Sequence, residues 1–114
     1  MKVCFLGCGN IAQAIIDGLL KSGMQPSHIA CIERNEQRVN SLKTQGLQII
    51  ELENLASLDF DLIVLAVKPK DALGAAKSIF KHLPTAIILS VVAGIGIEKY
   101  SQPKSIIRAM PNTA

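Results

Sequence analysis

Residues 2–20 read KVCFLGCGNIAQAIIDGLL, and the order of events in that stretch decides the fold. Lys2–Leu6 is a short apolar run stopped by Gly7, as a strand should be. Asn10–Ser22 then changes period. Ile11, Ile15 and Leu19 stand four apart, and Ala12, Ile16 and Leu20 widen the same face, so the stretch reads as an amphipathic helix. Gly23 supplies its stop and Pro26 bars its continuation. Strand and helix are joined by Gly7-Cys8-Gly9-Asn10-Ile11-Ala12, a GxGxxA turn. Gly7 lets the chain turn sharply, Gly9 keeps a Cβ out of the path of an approaching anion, and Ala12 lets the helix lie close to the sheet. The helix amino end adds unpaired N–H groups and a partial positive charge. Such a turn alone is a weak signal. Between a strand and a long helix it reads as a pyrophosphate cradle.

The rest of the chain repeats the alternation. His28–Glu33 reads as a second strand. Asn35 can cap a helix over Glu36–Gln45 whose inner face is Val39 and Leu42 and whose stop is Gly46. Leu47–Ile50 is a weak third strand and 53–58 a helical turn. Asp61–Val67 (DLIVLAV) is apolar on both sides, as a central parallel strand requires. Ala72–Leu83 reads as a helix with Leu73, Ala76, Phe80 and Leu83 inward. Ala86–Val91 is a fifth strand, 97–101 a short helix and Ser105–Ala109 a sixth strand. Strands alternating with helices imply right-handed βαβ crossovers. The expected fold is α/β: a Rossmann-type, doubly wound, mostly parallel sheet with helices on both faces. Ligands then bind at the strands' carboxyl ends.

Composition agrees. The chain has 114 residues, the size of one domain, so 1–114 reads as a single dinucleotide-binding unit. Hydrophobic residues make up 49% and charged residues 18%, which excludes a disordered chain. A net charge of +3, scattered along the sequence, gives no footprint for nucleic acid. The longest near-apolar stretch, 86–97, is too short to span a membrane. Met1–Gly7 is too short in its apolar centre for a secretory signal. Cys4, Cys8 and Cys31 form no CxxC pair and no zinc spacing, so a reduced, cytoplasmic protein without metal is expected.

Further candidate site residues fall at predicted strand ends. Glu33 ends the second strand, roughly where an acid would accept hydrogen bonds from the ribose hydroxyls of NAD and repel the 2′-phosphate of NADP. Arg34 beside it argues the other way, because a guanidinium pairs with that phosphate, and Asn35 can add a neutral donor. The choice between NADH and NADPH is left open by this pair. Ala66, Val67, Lys68 and Pro69 end the fourth strand. Pro69 biases Lys68 to an extended conformation, which holds the loop against the nicotinamide half of a cofactor. Val91, Val92 and Ala93 follow the fifth strand, where small residues leave room for a ring. Met110, Pro111, Asn112 and Thr113 follow the sixth. His28 and His82 read as structural or exposed, so no catalytic proton donor is identified. Cys8, near a helix amino end, is a candidate for a lowered thiol pKa and for thiol-sensitive cofactor binding.

GCGNIAQAIIDGL, AVKP, LSVVAG and RAMPNTA, taken together, resemble pyrroline-5-carboxylate reductase, and the resemblance runs from residue 5 to the last residue. It implies an NAD(P)H-dependent oxidoreductase of proline biosynthesis that delivers hydride to the imine carbon of 1-pyrroline-5-carboxylate. It implies that residues 7–12 cradle the pyrophosphate, that Arg34 and Asn35 meet the adenosine 2′ position, and that Asn54 reaches the adenosine side. It further implies that Ala66–Pro69 and Val91–Ala93 line the cofactor, and that Met110–Thr113 lie near nicotinamide and substrate. NADPH is the favoured cofactor by resemblance, with NADH possible, and Glu33 is the departure from the pattern. The family carries a second, helical domain that makes a homo-oligomer and much of the substrate pocket, and where it would cover the sheet the resemblance implies that Ile95, Ile97, Tyr100 and Ile107 are bare apolar surface open to self-association. This chain is therefore expected to be the cofactor-binding half, to bind dinucleotide and not to turn over by itself. Two alternatives stand beside this: another NADP-dependent reductase of the F420-linked type, and a non-catalytic dinucleotide-binding module.

Overall fold

The computed structural model describes residues 1–109. Six strands and three α-helices alternate along it: β1 (Val3–Leu6), α1 (Asn10–Lys21), β2 (Ile29–Ile32), α2 (Glu36–Thr44), β3 (Gln48–Ile49), β4 (Leu62–Leu65), α3 (Pro69–His82), β5 (Ile88–Ser90) and β6 (Ile106–Arg108). Short 3₁₀ helices fill Pro26–His28, Leu52–Ser57, Ile97–Lys99 and Pro103–Ser105. The strands form one parallel sheet in the order β3-β2-β1-β4-β5-β6. The chain runs outward from β1 to β3, then crosses back to build β4 to β6 on the other side. The order therefore reverses between β1 and β4, where open α/β sheets keep their ligand crevice.

Side chains of successive strand residues point to opposite faces. Val3 and Phe5 of β1 join Ala12 and Ile16 of α1, Leu42 of α2 and Val64 of β4 in one buried cluster. Cys4, Ile63 and Leu65 join Ala72, Ala76, Ile79 and Phe80 of α3 in the other. Both faces are covered, which is why the strands read as continuous apolar runs.

The predicted fold class and the order of elements hold. The strands are shorter than their apolar runs, and two helix faces differ from the expected ones. In α1, Ala12 and Ile16 are buried and Ile11 is 45% exposed. The small Ala12, not Ile11, meets the sheet, because the helix starts tight against the turn. In α3, the helix begins at Pro69 rather than at Ala72. Proline at the first helical position loses no bond, since that N–H would be unpaired anyway. Ala72, Ala76, Ile79 and Phe80 then face inward and Leu73 is 42% exposed. Ala72 and Ala76, the short side chains of this face, let the amino-terminal half of the helix approach the sheet.

Candidate functional site

Gly7 leaves β1 with φ +85, a left-handed conformation that suits glycine. A Cβ there would lie 2.8 Å from the Ala66 carbonyl oxygen and 3.0 Å from Val67 Cγ1. The turn thus packs directly on the end of β4, and two predicted segments, 7–12 and 66–69, meet. The Gly7 N–H donates to the Ile32 carbonyl at 3.1 Å, which ties the same turn to β2. Gly9 is the amino-terminal cap of α1, with φ −76, no side-chain cap and no heavy atom within 4 Å of where its Cβ would stand. The first intrahelical bond runs from the Gln13 N–H to the Gly9 carbonyl. The N–H groups of Gly9, Asn10, Ile11 and Ala12 therefore have no acceptor among the described residues. No acidic residue occupies the first turn of α1. Open backbone, unpaired donors and the positive helix end suit a diphosphate.

Glu33 stands just past β2. Its Oε1 accepts the Cys8 N–H at 2.9 Å, and its Oε2 accepts the Arg34 and Asn35 N–H groups at 2.9 Å each. The Arg38 guanidinium lies 3.9 Å from Oε1. Burial pushes this carboxyl's pKa up. The hydrogen bonds from the Asn35, Cys8 and Arg34 amides and the charge of Arg38 outweigh that, and it ends below the ordinary glutamate value. Asn35 caps α2 as expected, its Oδ1 accepting the Arg38 N–H at 3.0 Å. Arg34, Asn35 and Arg38 are exposed around the same strand end. Sequence reasoning missed Arg38. The signal was present, because a residue three positions after a cap lies in the first helical turn, beside the loop that precedes it.

The remaining segments take their places along the same rim. Ala66 and Val67 are half-buried, and Lys68, extended at φ −64 and ψ 147, caps α3 with its side chain exposed. Val91 and Val92 are buried in the core, so their backbone and the exposed Ala93 border the rim. Beneath them a buried pair, Ser90 Oγ and Tyr100 Oη, lies 3.2 Å apart, and Ser90 Oγ accepts the Val92 N–H at 3.3 Å. Tyr100, expected at the surface, is 3% exposed, while Ile97 and Ile107 are exposed as expected and Ile95 is half-buried. Asn54 lies exposed in the 3₁₀ helix beyond β3, its Oδ1 accepting the Glu51 N–H at 3.0 Å. Met110, Pro111, Asn112 and Thr113 lie outside the described residues. His28 precedes β2 and His82 ends α3, both at the amino edge of the sheet, opposite this rim. Among the described residues there is no group of three metal-ligating side chains and no helix long and apolar enough to cross a membrane.

The three cysteines are buried and free. A hydrogen bond to Cys31, then burial, then the charges of Cys31 and Glu33, push the Cys8 thiol well up, with Arg38 opposing. Burial, with the Cys8 charge adding, pushes Cys4 up to about 12. The expected lowering at Cys8 is thus overturned. Its side chain turns into the core beside Cys31 instead of standing at the helix end.

The family model described as NADP oxidoreductase, coenzyme F420-dependent, matches residues 2–94. Pyrroline-5-carboxylate reductase 2 of Bacillus subtilis (strain 168) is 37% identical over 120 residues, which cover 99% of this chain and 43% of that protein. A solved pyrroline-5-carboxylate reductase structure from Coxiella burnetii superposes with a TM-score of 0.80 at 28% identity, covering 98% of this chain and 44% of that one. A Plasmodium falciparum pyrroline carboxylate reductase with NADP bound gives a TM-score of 0.78 at 24% identity, over 98% of this chain and 42% of that one, a likeness of fold. The chain spans less than half the length of the curated relatives it matches.

Proposed function

Since this chain belongs to the family described as NADP oxidoreductase, coenzyme F420-dependent, we propose that it is the dinucleotide-binding part of a pyrroline-5-carboxylate reductase. The observation that carries this reading is the set of unpaired N–H groups at Gly9, Asn10, Ile11 and Ala12, aimed from a helix end at the point where strand order reverses. Those four amides hold the diphosphate. Ala66–Pro69 and Val91–Ala93 border the nicotinamide half, and Asn54 the adenosine half. Met110–Thr113 meet substrate and nicotinamide.

NADPH is the favoured cofactor. Arg34 and Arg38 place two exposed guanidinium groups, with Asn35 between them, around the end of β2, where a 2′-phosphate would sit. When bound, NADPH would supply the hydride that makes the new C–H bond at the imine carbon of 1-pyrroline-5-carboxylate, with a proton taken up at nitrogen, giving proline and NADP⁺. This chain's part is to hold the donor still, since reacting atoms must be brought to ~3–3.5 Å in a fixed orientation. The histidines lie at the other edge of the sheet, so the proton source and most substrate contacts belong to further residues of the functional enzyme. A helical second domain, homo-oligomerisation and a cytoplasmic location complete the proposal.

The family's description also favours a second reading, an NADP-linked reductase acting with coenzyme F420. The relatives with nearly complete coverage of this chain favour the first. The test joins this chain to the remaining part of the Bacillus subtilis relative and supplies NADPH with either substrate. Proline formation that is lost with Gly9→Val supports the proposal. NADPH binding with F420 reduction and no proline would support the second reading, and no NADPH binding would reject both.

A further inference from the structure

An acid at the end of the second strand is the usual acceptor for ribose hydroxyls, and Glu33 stands at that place. Its bonds are of another kind. Both carboxylate oxygens are already engaged: Oε1 with the Cys8 N–H, Oε2 with the N–H groups of Arg34 and Asn35, all at 2.9 Å. A carboxylate offers about four lone-pair directions, two on each oxygen. Oε2 is full, and Oε1 has one direction left with the Arg38 guanidinium 3.9 Å away. The Glu33 side chain is 9% exposed against 52% for Arg38, so the acid lies under the cation. To take two ribose hydroxyls, Glu33 would have to release backbone donors on one or both of the loops it joins.

We propose that Glu33 is a positioning residue and not a ribose ligand: its carboxylate bolts the phosphate turn at Cys8 to the β2–α2 loop at Arg34 and Asn35, leaving the exposed Arg34 of that loop and Arg38 of the first turn of α2 to select the cofactor. The inference rests on the dinucleotide reading above. Cys8 and Arg34 belong to loops that leave neighbouring parallel strands, and such loops otherwise drift apart beyond the last ladder bond. One charge-assisted bond, from the Cys8 N–H to Oε1, crosses between the loops, and the two local bonds from the Arg34 and Asn35 N–H groups to Oε2 fix the carboxylate that accepts it. The bolt also accounts for the make-up of the cradle. The Cys8 amide already has its anion, so the free donors begin at Gly9.

The test titrates wild type, Glu33→Ala and Glu33→Gln with NADPH and NADH in parallel. It also follows amide hydrogen exchange at Cys8, Arg34 and Asn35 by NMR. A bolt predicts that Glu33→Ala weakens both dinucleotides alike, roughly tenfold, with their ratio kept within about twofold. Glu33→Gln, which keeps one acceptor oxygen, recovers part of the loss for both. The three amides are protected in the unliganded wild type and exchange faster in Glu33→Ala. Selective loss of NADH with tighter NADPH, and unchanged exchange, would overturn the proposal in favour of a ribose ligand. If wild type binds neither dinucleotide, the cofactor reading fails separately. Protection at the three amides then still supports the bolt, and its absence refutes it. If Glu33→Ala does not fold, Glu33→Gln carries the same comparison.

Discussion

Gly7 and Gly9 occupy one turn and do different work. Gly7 holds a left-handed φ against the Ala66 carbonyl, so Gly7→Ala is expected to cost about 1–3 kcal/mol from backbone conformation alone. Gly9 has an ordinary φ and open space around it, so Gly9→Ala should change stability by no more than about 1 kcal/mol while weakening NADPH. Denaturant unfolding beside NADPH titration separates the two, and equal effects on both readouts would contradict the division. The thiols give a second expectation. All three cysteines are buried, and those of Cys4 and Cys8 are pushed toward the protonated form. An alkylating reagent at neutral pH should therefore modify none in the folded chain and all after unfolding. Rapid labelling of Cys8 would show the geometry wrong. For Glu33 the sign is fixed by a folded pKa below the unfolded value of about 4.5. The stability it supplies is complete above that value and is lost as pH falls through the lower, folded pKa. The gap in melting temperature between wild type and Glu33→Gln should therefore persist at neutral pH and close in acid below about 4.5. A gap that widens in acid would reverse the assignment.

At the scale of elements, period and punctuation carried much of the fold. The runs at 2–6 and 61–67 and the stops at Gly7, Gly23 and Gly46 mark the strand and helix order that the fold shows. Exact faces were less legible. Leu73 and Ile11 look like core residues by hydrophobicity, yet the small Ala72 and Ala12 beside them are buried instead, together with Ile16, Ala76, Ile79 and Phe80, because close packing at those points admits only small side chains. Tyr100 was misread for the reverse reason. It was expected as bare apolar surface, but it is buried and Ser90 gives its hydroxyl a buried partner. The Glu33 clamp was not legible either, because backbone amides as partners leave no mark in a residue pattern. The Ser90–Tyr100 pair yields a prediction at this scale. Ser90→Ala leaves both the tyrosine hydroxyl and the Val92 N–H buried without a partner and should cost about 1–3 kcal/mol, more than Tyr100→Phe at about 1. Thermal unfolding of the two variants checks the order, and a costlier Tyr100→Phe would contradict it.

For the whole molecule, the sheet order decides what the separate motifs can do together. Only when β1 and β4 are neighbours does the turn at Gly7 rest on Ala66 and Val67, and only when β1 and β2 are neighbours can Glu33 reach Cys8. Residues far apart in the chain thereby share one rim at the carboxyl ends, with free amides in the middle, cations to one side and small loop residues to the other. The most direct measurement is an equilibrium titration of the folded chain with NADPH and NADH, repeated for Gly9→Val. Saturable binding of one dinucleotide per chain is expected, tighter for NADPH, with its loss in a variant that melts nearly where the wild type does. A well-folded chain that takes up neither nucleotide at millimolar concentration, or one whose uptake survives valine at position 9 undiminished, would contradict it.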